Sequence, residues 1–198
     1  MPRSKPLYGL VLAGGTSRRM QRDKAYLAYQ GQPQLLRAYD LLQPLVERCF
    51  ISVRKSQRND PLRSRLPQIV DKLSDGGPAA GILAALEAYP TAGWLVVACD
   101  LPLLDSGTLR ELVSSRFEAG DATAYASDFD GQPEPLCAIW EASSHAALAA
   151  HVENGNASLR GALARMHVRL LPARHDETLI NTNTPEDVEG VQRHIPEI

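Results

Sequence analysis

The short run Leu7–Leu12, LYGLVL, and the glycine pair two residues beyond it constrain this chain most. The run is mostly apolar, the length of one buried strand, and the chain then breaks at Gly14-Gly15. Glycine admits φ > 0 and lets another group approach the main chain. Thr16, Ser17, Arg18 and Arg19 come next, then Gln21, Arg22, Asp23 and Lys24. A strand, a backbone-rich loop and a cluster of cations suit a polyphosphate: amide N–H groups hold its oxygens, and Arg or Lys neutralises them. An ordinary strand-to-helix turn with a solvated basic face would share the pattern. Two common phosphate loops are excluded. The P-loop needs G-x-x-x-x-G-K-[ST] and the dinucleotide fingerprint needs G-x-G-x-x-G, and neither is present.

The rest of the chain alternates between two hydrophobic periods. From Gln34, residues Leu35, Leu36, Tyr39, Leu42, Leu45 and Val46 recur at three and four, which predicts a helix that Pro44 kinks or ends. Residues 49–53 read as a strand, and 54–65, polar around Asn59-Asp60-Pro61, as an exposed loop or short helix. Gln68–Val70 is a brief strand that stops at Asp71, and Gly76-Gly77-Pro78 is a loop before a helix over 79–89. Residues 94–99 form an unbroken apolar run, as expected for the centre of a parallel sheet, and Asp100 follows. Further on, 108–117, Ser144–Glu153 and 159–166 read as helices; Ala122–Ala126, 136–140 and Val168–Leu171 read as strands, with a turn at 128–131. Thr184, Pro185, Glu186 and Asp187 open a last helix. The alternation predicts an α/β fold with a mostly parallel sheet, and the 198 residues fit one domain, 1–198.

Composition narrows the function. A net charge of −2 makes no case for nucleic acid. Its distribution is uneven: residues 1–65 hold 13 Lys and Arg against 4 Asp and Glu, whereas 66–198 hold 8 against 19. A basic first third suggests an anionic ligand there. No run approaches the ~18 apolar residues of a membrane helix. The start, MPRSKPLYG, lacks the apolar core of a signal peptide, so the expectation is a cytoplasmic protein. Cys49, Cys99 and Cys137 lie in or beside apolar stretches without metal-ligand spacing, which fits buried, reduced thiols. The five His are scattered and form no motif.

Ligands of open α/β sheets bind beyond the carboxyl ends of the strands. That rule singles out the loop after Leu12, the end of the 49–53 strand, Asp71 and Asp100. Asp71 could accept hydrogen bonds from a base or sugar. Asp100 could hold Mg²⁺, which takes one or two carboxylates and otherwise phosphates and water. Solvated strand ends or helix caps would also account for two lone acids.

The specific residues go further. LAGGTSRRM followed by DKA resembles the signature of the molybdenum cofactor guanylyltransferase family, LAGG-x-S-x-RMG-x-DK, within the Rossmann-like, three-layer nucleotidyltransferases. Gln21 stands where the family has Gly. Asp71 with the following GGP-x-x-G resembles the family's D-x(n)-GPLAG, with Ala79 for Leu, and Cys99-Asp100 with Pro102 resembles CD-x-P. Glu134-Pro135-Leu136 is similar to the EPL segment, and Asn181-Thr182-Asn183-Thr184-Pro185 to the N-x-NTP ending.

The resemblance spans roughly residues 7–190. It implies transfer of GMP from GTP to the phosphate of molybdopterin cofactor, with Mg²⁺ on Asp100. Nucleotide contacts would come from Leu12, Ala13, Gly14, Gly15, Lys24, Asp71 and Asp100. They would also come from Ser52, where members often carry Asn. Arg19 and Lys24 would be the catalytic cations, and Glu134, Pro135, Asn181 and Asn183 would lie on the acceptor side. Other cofactor-biosynthesis proteins are possible partners. Two alternatives stay open: transfer from CTP or to another phosphate acceptor, and nucleotide binding without catalysis. The Gly14-Gly15 pair favours guanine over the Ala-Ala-Gly of the cytidine-using branch.

Overall fold

The computed structural model of the protein describes residues 4–14, 23–29, 31–73, 76–174, 177–182 and 187. The first strand, β1 (Leu7–Leu12), is followed by a single 3₁₀ turn at Lys24–Tyr26 and a small hairpin of β2 (Ala28–Tyr29) and β3 (Gln32–Pro33). Gly31, with φ of 76°, makes the hairpin's turn, a conformation that Gly adopts without a Cβ penalty. Helix α1 (Gln34–Leu42) then gives way at Gln43–Leu45 to a 3₁₀ turn containing Pro44, the expected point of interruption. Next come β4 (Arg48–Val53), two 3₁₀ turns, β5 (Gln68–Val70), α2 (Gly77–Ala88), β6 (Gly93–Ala98) and α3 (Ser106–Ser114). The second half adds β7 (Ala122–Ala126), β8 (Pro133–Trp140), α4 (Ser144–Glu153), α5 (Leu159–Leu163) and β9 (Val168–Leu171).

Seven strands form one sheet in the order β5-β4-β1-β6-β8-β7-β9. Every pairing in it is parallel except those of β8, which runs antiparallel to both β6 and β7. The expected mostly parallel sheet is therefore present, and the exception has a local cause. Strands β7 and β8 are joined by a tight turn, closed by Ser127 N–H donating to the Gln132 carbonyl at 2.7 Å, with Gly131 at φ of 69°. Two strands joined so closely can only pair antiparallel.

Helices cover both faces. Along β6, Leu95 and Val97 pack with Leu35, Ala38 and Leu42 of α1 and Leu109 and Leu112 of α3. Trp94 and Val96 point the other way, onto Ile82 and Leu86 of α2, Leu148 of α4 and Leu163 of α5. All six residues of β6 are buried, which is why its sequence shows no polar alternation. At the amino-terminal rim of the sheet, Tyr8, Phe50, Tyr89 and Trp94 form an aromatic cluster with ring centroids 5.1–6.3 Å apart.

Several boundaries differ from expectation. Helix α2 starts at Gly77 rather than 79, because Pro78 fits a first helical turn that needs no N–H donor. Helix α3 begins and ends earlier than 108–117: Asp105 caps it by accepting the Thr108 N–H at 2.7 Å. Strand β8 reaches back to Pro133, and α5 stops at Leu163. The expected last helix from Thr184 lies outside the described residues, Asp187 excepted. Among the described residues no helix is long and apolar enough to cross a membrane.

The three cysteines are free and buried, as expected. Burial pushes the Cys49, Cys99 and Cys137 thiols up to about 12, so the reactive thiolate is scarce at neutral pH. Native protein titrated with a chromogenic disulfide at pH 7.5 should show none of the three thiols, and denatured protein all three. Rapid reaction of a native thiol would contradict this packing.

Candidate active site

Strand β1 leaves the chain free to cross outward to β4 and β5, after which α2 carries it back to β6 on the other flank. The crevice where the strand order reverses lies at the carboxyl ends of β1, β4 and β6, the usual ligand position in such sheets. A cleft opens there. Its lining includes Leu12, Ala13, Gly14, Lys24, Ser52, Asp71 and Asp100, all expected from sequence, together with Asp23, Arg54, Leu73, Pro78 and Leu136.

At one end, Lys24 Nζ donates to Asp100 Oδ2 at 2.9 Å, the two side chains 15% and 17% exposed. The sequence places both residues in the site but says nothing of their pairing. The second carboxylate oxygen, Asp100 Oδ1, is buried and has no hydrogen-bond partner among the described residues. A buried anionic oxygen without a donor is costly and calls for a cation or water. Asn181 is held nearby by its neighbour, because Thr182 N–H donates to the Asp100 carbonyl at 3.0 Å. Its own Oδ1 is also buried and unpartnered among the described residues. An open carboxylate oxygen at a strand end, with an amide oxygen on the backbone segment bonded to it, is the donor chemistry a hard divalent cation takes. No group of three or more His, Cys, Asp or Glu suited to a metal exists among the described residues. A cation here would thus rely on few protein ligands and on substrate oxygens, as Mg²⁺ commonly does.

At the other end, Ser52 Oγ donates to Asp71 Oδ1 at 2.6 Å. Ser52 is only 2% exposed, so its hydroxyl serves chiefly to hold Asp71. Helix α2 comes close above it: a Cβ on Gly81 would sit 2.3 Å from Ser52 Oγ and 3.0 Å from Leu12 Cδ2. A Cβ on Gly14 would lie 3.0 Å from Asp71 Oδ2. The glycine keeps the second Asp71 oxygen clear beside the β1 loop. Burial raises the Asp71 pKa above its ordinary value, and the Ser52 hydrogen bond and the Arg54 charge draw it partly back.

The segment 54–65 is mostly exposed with short 3₁₀ turns, as expected, but Arg63 within it is only 1% exposed. Its Nη2 donates to the Ala13 carbonyl at 2.9 Å and to Asp23 Oδ1 at 2.9 Å. Asp60 receives the Leu62 and Arg63 N–H groups and the Tyr26 hydroxyl, and lies 3.4 Å from Arg63 Nη1. A buried guanidinium is tolerated only when paired and hydrogen-bonded, and here both conditions hold. The carboxylates outweigh burial, which by itself would lower the Arg63 pKa, and the net direction is upward. Periodicity could not have found this residue, because the signal is a charge partner 40 positions away.

Glu134 and Pro135 lie inside β8, not before it. Glu134 accepts from Arg160 Nη2 at 2.7 Å, and Arg160 Nη1 reaches Asp130 at 2.9 Å. Neither Glu134 nor Pro135 lines the cleft; Leu136 next to them does. Gly15, Arg19, Gln21 and Asn183 lie outside the described residues.

An α/β sheet with an acid at each end of its switch-point cleft and a lysine beside one of them places these groups where such folds bind ligands. Residues 9–170 match the MobA-like NTP transferase domain, and the chain belongs to that family of nucleotidyltransferases. It is 44% identical over 135 residues to a molybdenum cofactor biosynthesis bifunctional protein of Synechocystis, covering 68% of this chain and 39% of that protein. A probable molybdenum cofactor guanylyltransferase of Opitutus terrae is 32% identical over 197 residues, covering 94% of this chain and 95% of the relative. The crystal structure of molybdopterin-guanine dinucleotide biosynthesis protein A from Archaeoglobus fulgidus superposes with a TM-score of 0.80 at 25% identity, covering 94% and 97% of the two chains.

The raised Asp71 pKa gives a pH test. The folded state holds this proton more tightly than the unfolded chain does. Its favourable contribution is full below the ordinary carboxylate value and is lost as pH rises through the raised one. Asp71→Asn keeps an acceptor for Ser52 and removes the buried charge. The variant should melt above the wild type at pH 7, and the gap should close as pH falls to about 4. A variant melting below the wild type at pH 7 would contradict this.

Proposed function

We propose that this protein transfers GMP from GTP to the terminal phosphate of molybdopterin cofactor, releasing pyrophosphate. One observation carries the reading: the cleft has an acid with one oxygen left open, Asp71, at one end and the Lys24–Asp100 pair at the other. That is the layout a nucleoside triphosphate needs, base at one side and phosphates at the other. Names of relatives that align along nearly the whole chain support the donor and acceptor.

In this reading an acceptor phosphate oxygen attacks the α-phosphorus of GTP. The new P–O bond forms as the bond to the β-phosphate bridging oxygen breaks, and pyrophosphate leaves with that electron pair. No protein nucleophile is required, so the protein's part is to position and neutralise. Lys24 would meet the phosphates as a point charge; Arg19 is assigned the same role from sequence. Ser52 holds one Asp71 oxygen at 2.6 Å, leaving Oδ2 to accept from guanine N1–H and N2–H₂. Backbone groups from Leu12 to Gly15 would meet the O6 edge and the ribose side. Asp100 Oδ1 and Asn181 Oδ1 would hold a divalent cation, Mg²⁺ by expectation. Such an ion, when bound, neutralises phosphate charge. Glu134, Pro135 and Asn183 remain assigned to the acceptor side, in a cytoplasmic enzyme.

Calorimetric titration with GTP, ATP and CTP in Mg²⁺ checks the donor. GTP should bind tightest, by about 1–3 kcal/mol for each base-edge group left unpaired in the others. Lys24→Ala should weaken GTP and nearly abolish transfer, and Asp100→Asn should lower transfer severely and shift its Mg²⁺ dependence to higher Mg²⁺. Equal or tighter binding of CTP would sink the guanine assignment.

A further inference from the structure

The buried guanidinium of Arg63 touches both ends of the glycine-rich loop, and the proposed reaction makes no use of it. Ala13 precedes the nine residues 14–22, and Asp23 follows them. One nitrogen, Arg63 Nη2, donates to the Ala13 carbonyl at 2.9 Å and to Asp23 at 2.9 Å. Arg63 itself is fixed from outside the loop. Its N–H donates to Asp60 Oδ1 at 3.0 Å, and its carbonyl accepts from Gln68 Nε2 of β5 at 2.9 Å. Asp23 in turn caps the 3₁₀ turn that presents Lys24, accepting the Ala25 N–H at 3.1 Å.

We infer that Arg63 is a positioning residue: a clasp that ties Asp23 to the Ala13 carbonyl at the end of β1 and so sets where Lys24 meets the nucleotide phosphates. The inference rests on the reading that this loop holds a nucleoside triphosphate. Its physical basis is preorganisation. Ala13 and Asp23 share one buried guanidinium before any ligand arrives, so less order has to be imposed on Lys24 at the moment of binding. The clasp also aims charge. Asp23 is neighbour to the Lys24 that reaches Asp100 at 2.9 Å, so releasing Asp23 frees the lysine's backbone. Arg63 is not itself among the lining residues, and it bonds directly to two that are, Ala13 and Asp23, so its effect passes through them.

The clasp predicts a signature that a merely structural arginine would lack. Arg63→Met removes the charge at similar volume. Asp23→Asn removes the partner charge at a half-exposed position while keeping the cap acceptor, so it remains informative if Arg63→Met does not fold. GTP titration and steady-state transfer are measured on wild type, both single variants and the double variant, with melting curves for each. The dissociation constant and KM for GTP should rise about 10–100-fold in each single variant, the range for groups that orient another binding group. The turnover number at saturating GTP should fall much less. The double variant should bind no more weakly than the weaker single, because both remove one clasp. Wild-type GTP affinity in either folded variant, or additive losses in the double variant, would overturn the inference while leaving the nucleotide site standing. Absence of GTP binding by the wild-type chain would overturn the nucleotide reading and this inference with it.

Discussion

Strand β1 pairs in parallel with β4 on one side and β6 on the other, in register from Tyr8 against Arg48 and Trp94 to Leu12 against Ser52 and Ala98. That double pairing is the constraint on which the rim depends. Parallel neighbours all point their carboxyl ends the same way, so the residues just past them meet at one edge. Ala13 and Gly14 follow β1, Arg54 follows β4, Asp71 follows β5, and Cys99 and Asp100 follow β6. Residues tens of positions apart become lining of one cleft without any long loop folding back.

Charge then accumulates at the rim, and the structure handles it by pairing some groups and leaving others open. The two terminal nitrogens of Arg63 are paired with Asp23, Asp60 and the Ala13 carbonyl, while its buried Nε has no partner among the described residues. Asp71 gives one oxygen to Ser52, and Asp100 gives one to Lys24. Acceptor capacity stays open: Asp71 Oδ2 beside Gly14, and buried Oδ1 atoms on Asp100 and Asn181. Buried acceptors of this kind are expensive in an empty protein and favourable once a donor or cation arrives. The Asp71 pKa records the expense, since burial is its largest cause. If Asp71 reads the base as proposed, stability and binding are opposed at this residue, a common trade at functional sites.

Much of this is legible in the sequence because the local signals agree with the fold. The run at 94–99 reads as a central strand because both of its faces are covered, and β6 is buried throughout. Leu7–Leu12 ending at a glycine pair reads correctly for the same reason. The strand-end rule together with family resemblance finds Lys24, Asp71 and Asp100, and all three line the cleft. Relations between distant residues escape such reading. The polarity of 54–65 suggests solvent, because no periodic rule marks an arginine that is buried by pairing. Ser52 reads as a direct contact, yet its hydroxyl is committed to Asp71. The antiparallel β8 is hidden in a turn whose sequence fixes two strands as neighbours but not the sheet they join.

The central claim is that the rim holds a guanine nucleotide and passes its α-phosphoryl group to an acceptor. Purified protein incubated with Mg²⁺, molybdopterin cofactor and GTP labelled at the α-phosphorus tests it in one step. The account expects the label to appear in a dinucleotide product, with one pyrophosphate released for each label transferred, and with CTP giving little product. Tight GTP binding with no label transferred and no pyrophosphate released would contradict it.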